Sequence, residues 1–243
     1  MIDSQISLIP IQLVDEQPVD RSLSKDLLWT GCDEQGKRYA LKTVERAHPL
    51  LPLTEWLCYH LCSRIGVLIP EYTVVVRLDG SLAFGSLWEI DARQFSPASV
   101  SEAQFFTWLE SAKSDVNAMF ALDAFLPNED RHFGNMLFVD TGARVRALAF
   151  DWSRARIFNP WPWPADCKSE RSWNWLAHVR LHDPKLIRSK LDRLQLIPGT
   201  DIRQILMAAP AEWRMGFDLD QSTVWWEGHR SQRVDDTVRL LRP

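Results

Sequence analysis

The hydrophobic pattern of this chain changes period once, and that change limits the folds open to it. Up to about residue 90 apolar residues come in short runs or alternate, as strands do. From residue 101 they recur mainly every three or four residues, as helices do. Segments 7–14, 26–30, 38–44, 72–77 and 82–90 read as strands, with turns at Gly36 and at Asp79-Gly80. The first of them predict an antiparallel sheet. One helix is expected at 53–65, where Leu57, Leu61 and Ile65 repeat every four residues and Gly66 supplies a stop. Further helices are expected at 101–113, 114–126, 168–181, 185–194, 200–208 and 222–241. A hairpin, 136–139 and 145–150, turns at Asp140-Thr141-Gly142 and interrupts them. The pattern predicts an α+β protein of two lobes, a β-rich one over 1–90 and a mostly helical one over 91–243, with a cleft between them.

Composition narrows the function classes. At 243 residues, 46% hydrophobic and 25% charged, the chain can bury a substantial core. A net charge of −4 gives no footprint for sequence-independent nucleic-acid binding, so no nucleic-acid partner is expected. No apolar run is long enough to span a bilayer, and Met1 to Leu8 lack the basic start and apolar run of a signal peptide. Cys58 and Cys62, four apart on one helical face, read as small buried hydrophobes, because no second pair with zinc spacing follows. A reducing, cytoplasmic setting without membrane contact is the expectation. The tryptophan-rich stretch 152–175, with its stiff segment Phe158 to Pro164, reads as a cover for the helical core.

The densest polar run is Asn128-Glu129-Asp130-Arg131-His132-Phe133-Gly134-Asn135, held between an apolar helix and the hairpin. A hairpin brings the residue before its first strand close to the residue after its second, so Asn135 and Asp151 are expected side by side. Two oxygen-bearing side chains there can share Mg²⁺. Asp130, five residues before Asn135, is within reach of a hydroxyl proton. Strand alternation puts Ala40 and Lys42 on one face and Tyr39 and Leu41 on the other. Lys42 is the candidate for neutralising phosphate, and Glu55, near the start of the next helix, for holding that lysine. A base, two metal ligands, a lysine and its glutamate are the parts that phosphoryl transfer requires. Taken singly they mean little: an Asp with an Asn five later occurs by chance in about half of chains this long, but Arg-His directly after the Asp cuts that to roughly one in a thousand. His132 reads as a residue that bonds backbone and shapes the loop.

These residues resemble the HipA-like kinases, and more distantly the catalytic loop of the phosphatidylinositol kinases. Tyr39-Ala40-Leu41-Lys42 is similar to the lysine strand, Thr54-Glu55 and Gly66 to Pro70 to the glutamate helix, and Phe84-Gly85-Ser86 to the segment before the hinge. Asn128 to Asn135 resembles the catalytic loop, Asp151 the metal-binding aspartate, and Ile205 to Trp213 a C-terminal feature of the short members. The resemblance implies a bilobal protein-kinase-like fold that uses ATP with Mg²⁺ and phosphorylates a Ser or Thr hydroxyl of a protein acceptor, the chain itself included. It implies Asp130 as base, Asn135 and Asp151 as metal ligands, and Lys42, paired with Glu55, on the phosphates. The chain departs from the pattern between its first two strands, where Asp20 to Lys25 hold no glycine; there Ser22, Ser24 and Lys25 are candidates to contact phosphate in place of backbone amides. Backbone groups around Trp88, Glu89 and Ile90, at the expected lobe connection, are candidates to contact the nucleotide base. A lipid or small-molecule kinase and a nucleotide-binding pseudokinase stay open from the sequence.

Overall fold

The computed structural model describes residues 9–20, 27–96, 98–156 and 161–242. The expected strands β1 (Ile11–Pro18), β2 (Trp29–Asp33), β3 (Arg38–Lys42), β4 (Tyr72–Val76) and β5 (Leu82–Leu87) are all present. They do not form a purely antiparallel sheet. They close into a barrel in the order β1-β2-β3-β5-β4, and the closing contact, β1 with β4, is parallel. Closure removes the edges that an open sheet would expose. β1 runs on to Pro18, through Asp15, Glu16 and Gln17, because β2 pairs with these polar residues across a register shift between Leu13 and Asp15. Pairing overrides their poor strand propensity.

Alternation divides the strand residues between two cores. Leu13, Tyr39, Leu41, Val75 and Ala83 fill the barrel. Val74 and Phe84, one residue out of phase, belong to the larger core that runs through the helices. The junction is made by α1 (Leu51–Ile65), whose Tyr59 ring meets Phe84 at 4.9 Å. Gly31 and Gly85 lie where the barrel wall is tight: a Cβ would sit 2.6 Å from Leu13 Cδ1 at the first and 2.7 Å from Val75 Cγ1 at the second. α1 ends at Gly66 in the left-handed conformation (φ 71°).

The remaining elements are β6 (Arg93–Gln94), α2 (Glu102–Ser111), α3 (Lys113–Phe125), β7 (Met136–Asp140), β8 (Val145–Ala149), α4 (Lys168–His178), α5 (Pro184–Gln195), α6 (Gly199–Ala208) and α7 (Leu219–Leu240). β6 was not expected; it adds a third strand to the β7–β8 hairpin. The Lys190 and Arg193 side chains of α5 donate to the last carbonyls of α1, as cations at a helix C-terminus should.

α3 is the central helix: residues 115–125 are all buried. Its polar members are therefore paired. Asn117 donates to the Lys113 and Leu181 carbonyls, Asp115 meets Arg146 at 2.8 Å, and Asp123 meets Arg131 at 2.7 Å. The Trp161 and Trp163 indoles donate to the Ala124 and Asp123 carbonyls, so this part of the tryptophan-rich segment covers the end of α3. Among the described residues, no helix is long and apolar enough to cross a membrane.

The helical part is tied to the barrel by the single turn Ala211–Arg214. There Trp213 is fully buried, donates to the Leu82 carbonyl and meets the Trp56 ring edge-on. Trp213→Ala should cost about 3–5 kcal/mol, as large buried aromatics do. Urea denaturation measures it; a loss under 1 kcal/mol would mean that the junction does not depend on this side chain.

Candidate active site

The loop 128–135 is held from below by one side chain. Arg131 is fully buried, and its guanidinium makes a forked pair with Asp123 at 2.7 and 3.2 Å. Its Nη1 donates to the carbonyls of Asn135 and Phe150, both at 2.5 Å, and Trp152 lies against it at 4.9 Å. One cation thus ties α3, the loop and both ends of the hairpin together. Asn128 Nδ2 donates to the same aspartate. His132 Nδ1 accepts the Gly134 N–H at 3.1 Å, which shapes the loop as the sequence led us to expect. Gly134 is needed for this, since a Cβ there would lie 2.9 Å from the imidazole. Burial, with the Lys168 ammonium adding to it, lowers the His132 pKa.

β7 pairs with β8 so that Met136 faces Ala149, which sets Asn135 beside the end of the second strand. Asn135 Nδ2 donates to the Asp130 carbonyl at 3.1 Å; its Oδ1 takes no hydrogen bond among the described residues. Asp151 has φ 63°, a left-handed conformation that aspartate tolerates better than most residues. Its Oδ1 accepts from Ser153 Oγ at 2.6 Å and from Lys42 Nζ at 3.1 Å. Burial alone would raise the Asp151 carboxyl, but Lys42 and Ser153 outweigh it and hold it well below the usual carboxylate range. Lys42 also faces Glu55 Oε1 at 3.9 Å, and that oxygen accepts the Trp152 N–H at 3.0 Å. Among the described residues, Glu55 Oε2 is buried without a hydrogen-bond partner. Burial pushes the Glu55 carboxyl from 4.5 up to about 7, with Lys42 pulling the other way.

These groups line a cleft of about 1000 Å³. It brings together Lys42, Glu55, Asp130, Asn135 and Asp151, and also Trp88 and Glu89. Ile90 is not among its walls; the side chain is 87% exposed. The Trp88 N–H already donates to the Arg38 carbonyl at 2.7 Å, which commits one of the backbone donors at this connection. Ser22, Ser24 and Lys25 lie outside the described residues. Apolar walls come from residues the sequence had not singled out: Val19 and Leu27 at the β1–β2 connection, and Leu137 on β7. Leu137 was open to detection, since its neighbours Met136 and Phe138 are core and alternation turns it the other way. Lys168, the first residue of α4, was also missed; its ammonium meets Asp130 Oδ1 at 2.7 Å.

The mixed β-barrel and helical bundle around this cleft form a kinase-like fold. HipA of Shewanella oneidensis MR-1, solved in complex with HipB and operator DNA, has a TM-score of 0.53 at 11% identity, over 84% of this chain and 60% of HipA. The chain thus spans about 60% of the HipA length. The proinflammatory kinase CtkA of Helicobacter pylori has a TM-score of 0.55 at 11% identity, over 96% of this chain and 98% of CtkA. No family model and no curated protein sequence matches the chain.

Arg131→Met should cost about 3–5 kcal/mol, because it leaves the Asp123 carboxylate buried and uncompensated. Combining it with Asp123→Leu should recover part of the loss in urea denaturation; an additive or greater loss would contradict the pairing. Glu55 sets a pH dependence. A carboxyl whose pKa rises on folding stabilises the folded chain only while protonated, so its contribution is complete below pH 4.5 and lost as pH rises through about 7. Over that window nucleotide-free wild type should lose stability relative to Glu55→Gln. Parallel pH profiles of the two proteins would contradict this.

Proposed function

We propose that the protein is an ATP- and Mg²⁺-dependent kinase that transfers the γ-phosphate to a hydroxyl, that of Ser or Thr in a protein acceptor. On this reading residues 1–90 and 91–243 act as two lobes about the cleft. The observation that carries it is the grouping at the mouth of the hairpin: two oxygens of different side chains without hydrogen bonds, next to a lysine from the barrel. Asn135 Oδ1 and Asp151 Oδ2 take no hydrogen bond among the described residues, and both side chains line the cleft. An all-oxygen pair, one member an anion with a depressed pKa, suits Mg²⁺ better than softer metals. A magnesium ion held by these two residues supplies charge neutralisation for the phosphates.

The chain's own groups do the rest. Lys42 reaches the cleft from β3, braced by Glu55, and offers its ammonium to phosphate oxygens. Ala40, on the same face, leaves room for a flat base, and Val19, Leu27 and Leu137 add apolar surface to the cleft. Asp130, its carboxylate 30% exposed to the cleft, takes the acceptor proton as the new bond forms. Arg131 holds the loop so that Asp130 and Asn135 keep their spacing. The four cysteines are free, which suits a reducing compartment. The net charge of −4 gives no footprint for sequence-independent nucleic-acid binding, and the partners on this reading are a nucleotide and a protein acceptor.

The test is phosphate transfer from γ-labelled ATP with Mg²⁺, by purified protein alone and with a cell lysate, followed by mass spectrometry. Asp130→Asn should lower transfer by about 10²–10⁴-fold, with nucleotide affinity little changed. Equal labelling by wild type and Asp130→Asn would remove Asp130 as the base. Labelled lipid or metabolite in place of protein would reassign the acceptor.

A further inference from the structure

Lys168 sits where a lysine is electrostatically misplaced. It opens α4, at the positive end of the helix dipole, where an anion is favoured and a cation is not. Helix stability does not explain it, and its position is tightly fixed. The next residue, Ser169, is fully buried; its Oγ donates to the Asn128 carbonyl and accepts the Arg131 N–H at 2.7 Å. The first turn of α4 is thereby fastened to the loop that carries Asp130. From that root the Lys168 ammonium reaches into the cleft and meets Asp130 Oδ1 at 2.7 Å.

An acceptor hydroxyl must lie within a hydrogen bond of Asp130 and roughly in line with the γ-phosphorus, about 3–3.5 Å from it. A cation in direct contact with Asp130 is then within reach of the γ-phosphate oxygens. The chain has reason to place one there. The connection between β1 and β2 holds no glycine between Asp20 and Lys25, so phosphate charge depends more on side chains than on a glycine-rich cradle. Lys42 is engaged with Asp151 and Glu55, on the metal side of the cleft.

We propose that Lys168 is a γ-phosphate contact: it holds the Asp130 carboxylate in the nucleotide-free protein and binds the γ-phosphoryl group when the nucleotide is present. The inference rests on the kinase reading. In the transfer, the acceptor oxygen forms a bond to the γ-phosphorus. The bond from that phosphorus to the β,γ-bridging oxygen breaks, its electron pair staying with the diphosphate, and the acceptor proton passes to Asp130. Lys168 changes no bond; its ammonium faces the oxygens on which charge gathers.

Calorimetric titration with Mg²⁺ and either ADP or the β,γ-imido analogue of ATP tests this without any turnover. Wild type should prefer the triphosphate. Lys168→Met should lose that preference by about tenfold or more, the size of a charged hydrogen bond, with ADP affinity and melting temperature unchanged, and Lys168→Arg should keep most of it. An unchanged preference in Lys168→Met, or none in wild type, overturns the assignment while leaving the nucleotide site standing. Equal weakening for both nucleotides with a lowered melting temperature shows a structural lysine, and overturns it too. Failure of wild type to bind either nucleotide removes the kinase reading, and this inference with it.

Discussion

The site depends on a charge that never reaches the cleft. Arg131 and Asp123 are both fully buried. Taking an ion pair out of water is costly, and such a pair is tolerated where good geometry and further hydrogen bonds compensate. Here the guanidinium is forked on the carboxylate, donates to two backbone carbonyls and lies against an indole. The gain is in position. The two carbonyls belong to the residues at the open end of the hairpin, and the carboxylate belongs to the central helix. Distances among Asp130, Asn135 and Asp151 are therefore set by a contact inside the core rather than by the loop's own preferences.

Much of this was legible in the sequence, for identifiable reasons. Elements with one clear period were found with small boundary errors: α1, α5 and the β7–β8 hairpin follow from apolar spacing and turn residues. β1, read at 7–14, is a strand over 11–18: its end was missed because Asp15, Glu16 and Gln17 carry no strand signal of their own and only their partner strand makes them one, while residues 7 and 8 of that reading lie outside the described residues. β2 was read about three residues early for a related reason. Closure of the barrel was invisible, since the parallel contact joins residues more than sixty apart. β6, two exposed residues long, has no pattern to detect.

The residues of the candidate site divide the same way. Those with a fixed place in the chain relative to a hairpin or a strand, Asn135, Asp151 and Lys42, could be located from topology alone. Glu55 could be placed on its helix, but not its unpartnered oxygen, which is a consequence of packing. Arg131 was visible as a letter and not as a role, because its partner Asp123 reads as one more polar residue of an apolar helix. Lys168 lies thirty-eight residues from Asp130, beyond the β7–β8 hairpin and the tryptophan-rich segment, so no spacing rule connects them.

The left-handed backbone at residue 151 limits how this protein can change. Asparagine and glycine accept that conformation readily; β-branched and bulky side chains do not. On the proposed kinase reading, catalytic silence at this position is therefore within easy reach of a point mutation that the backbone tolerates, whereas most other replacements would strain it. A lineage drifting from catalysis toward a purely binding role would be expected to lose its charge here before it lost its shape.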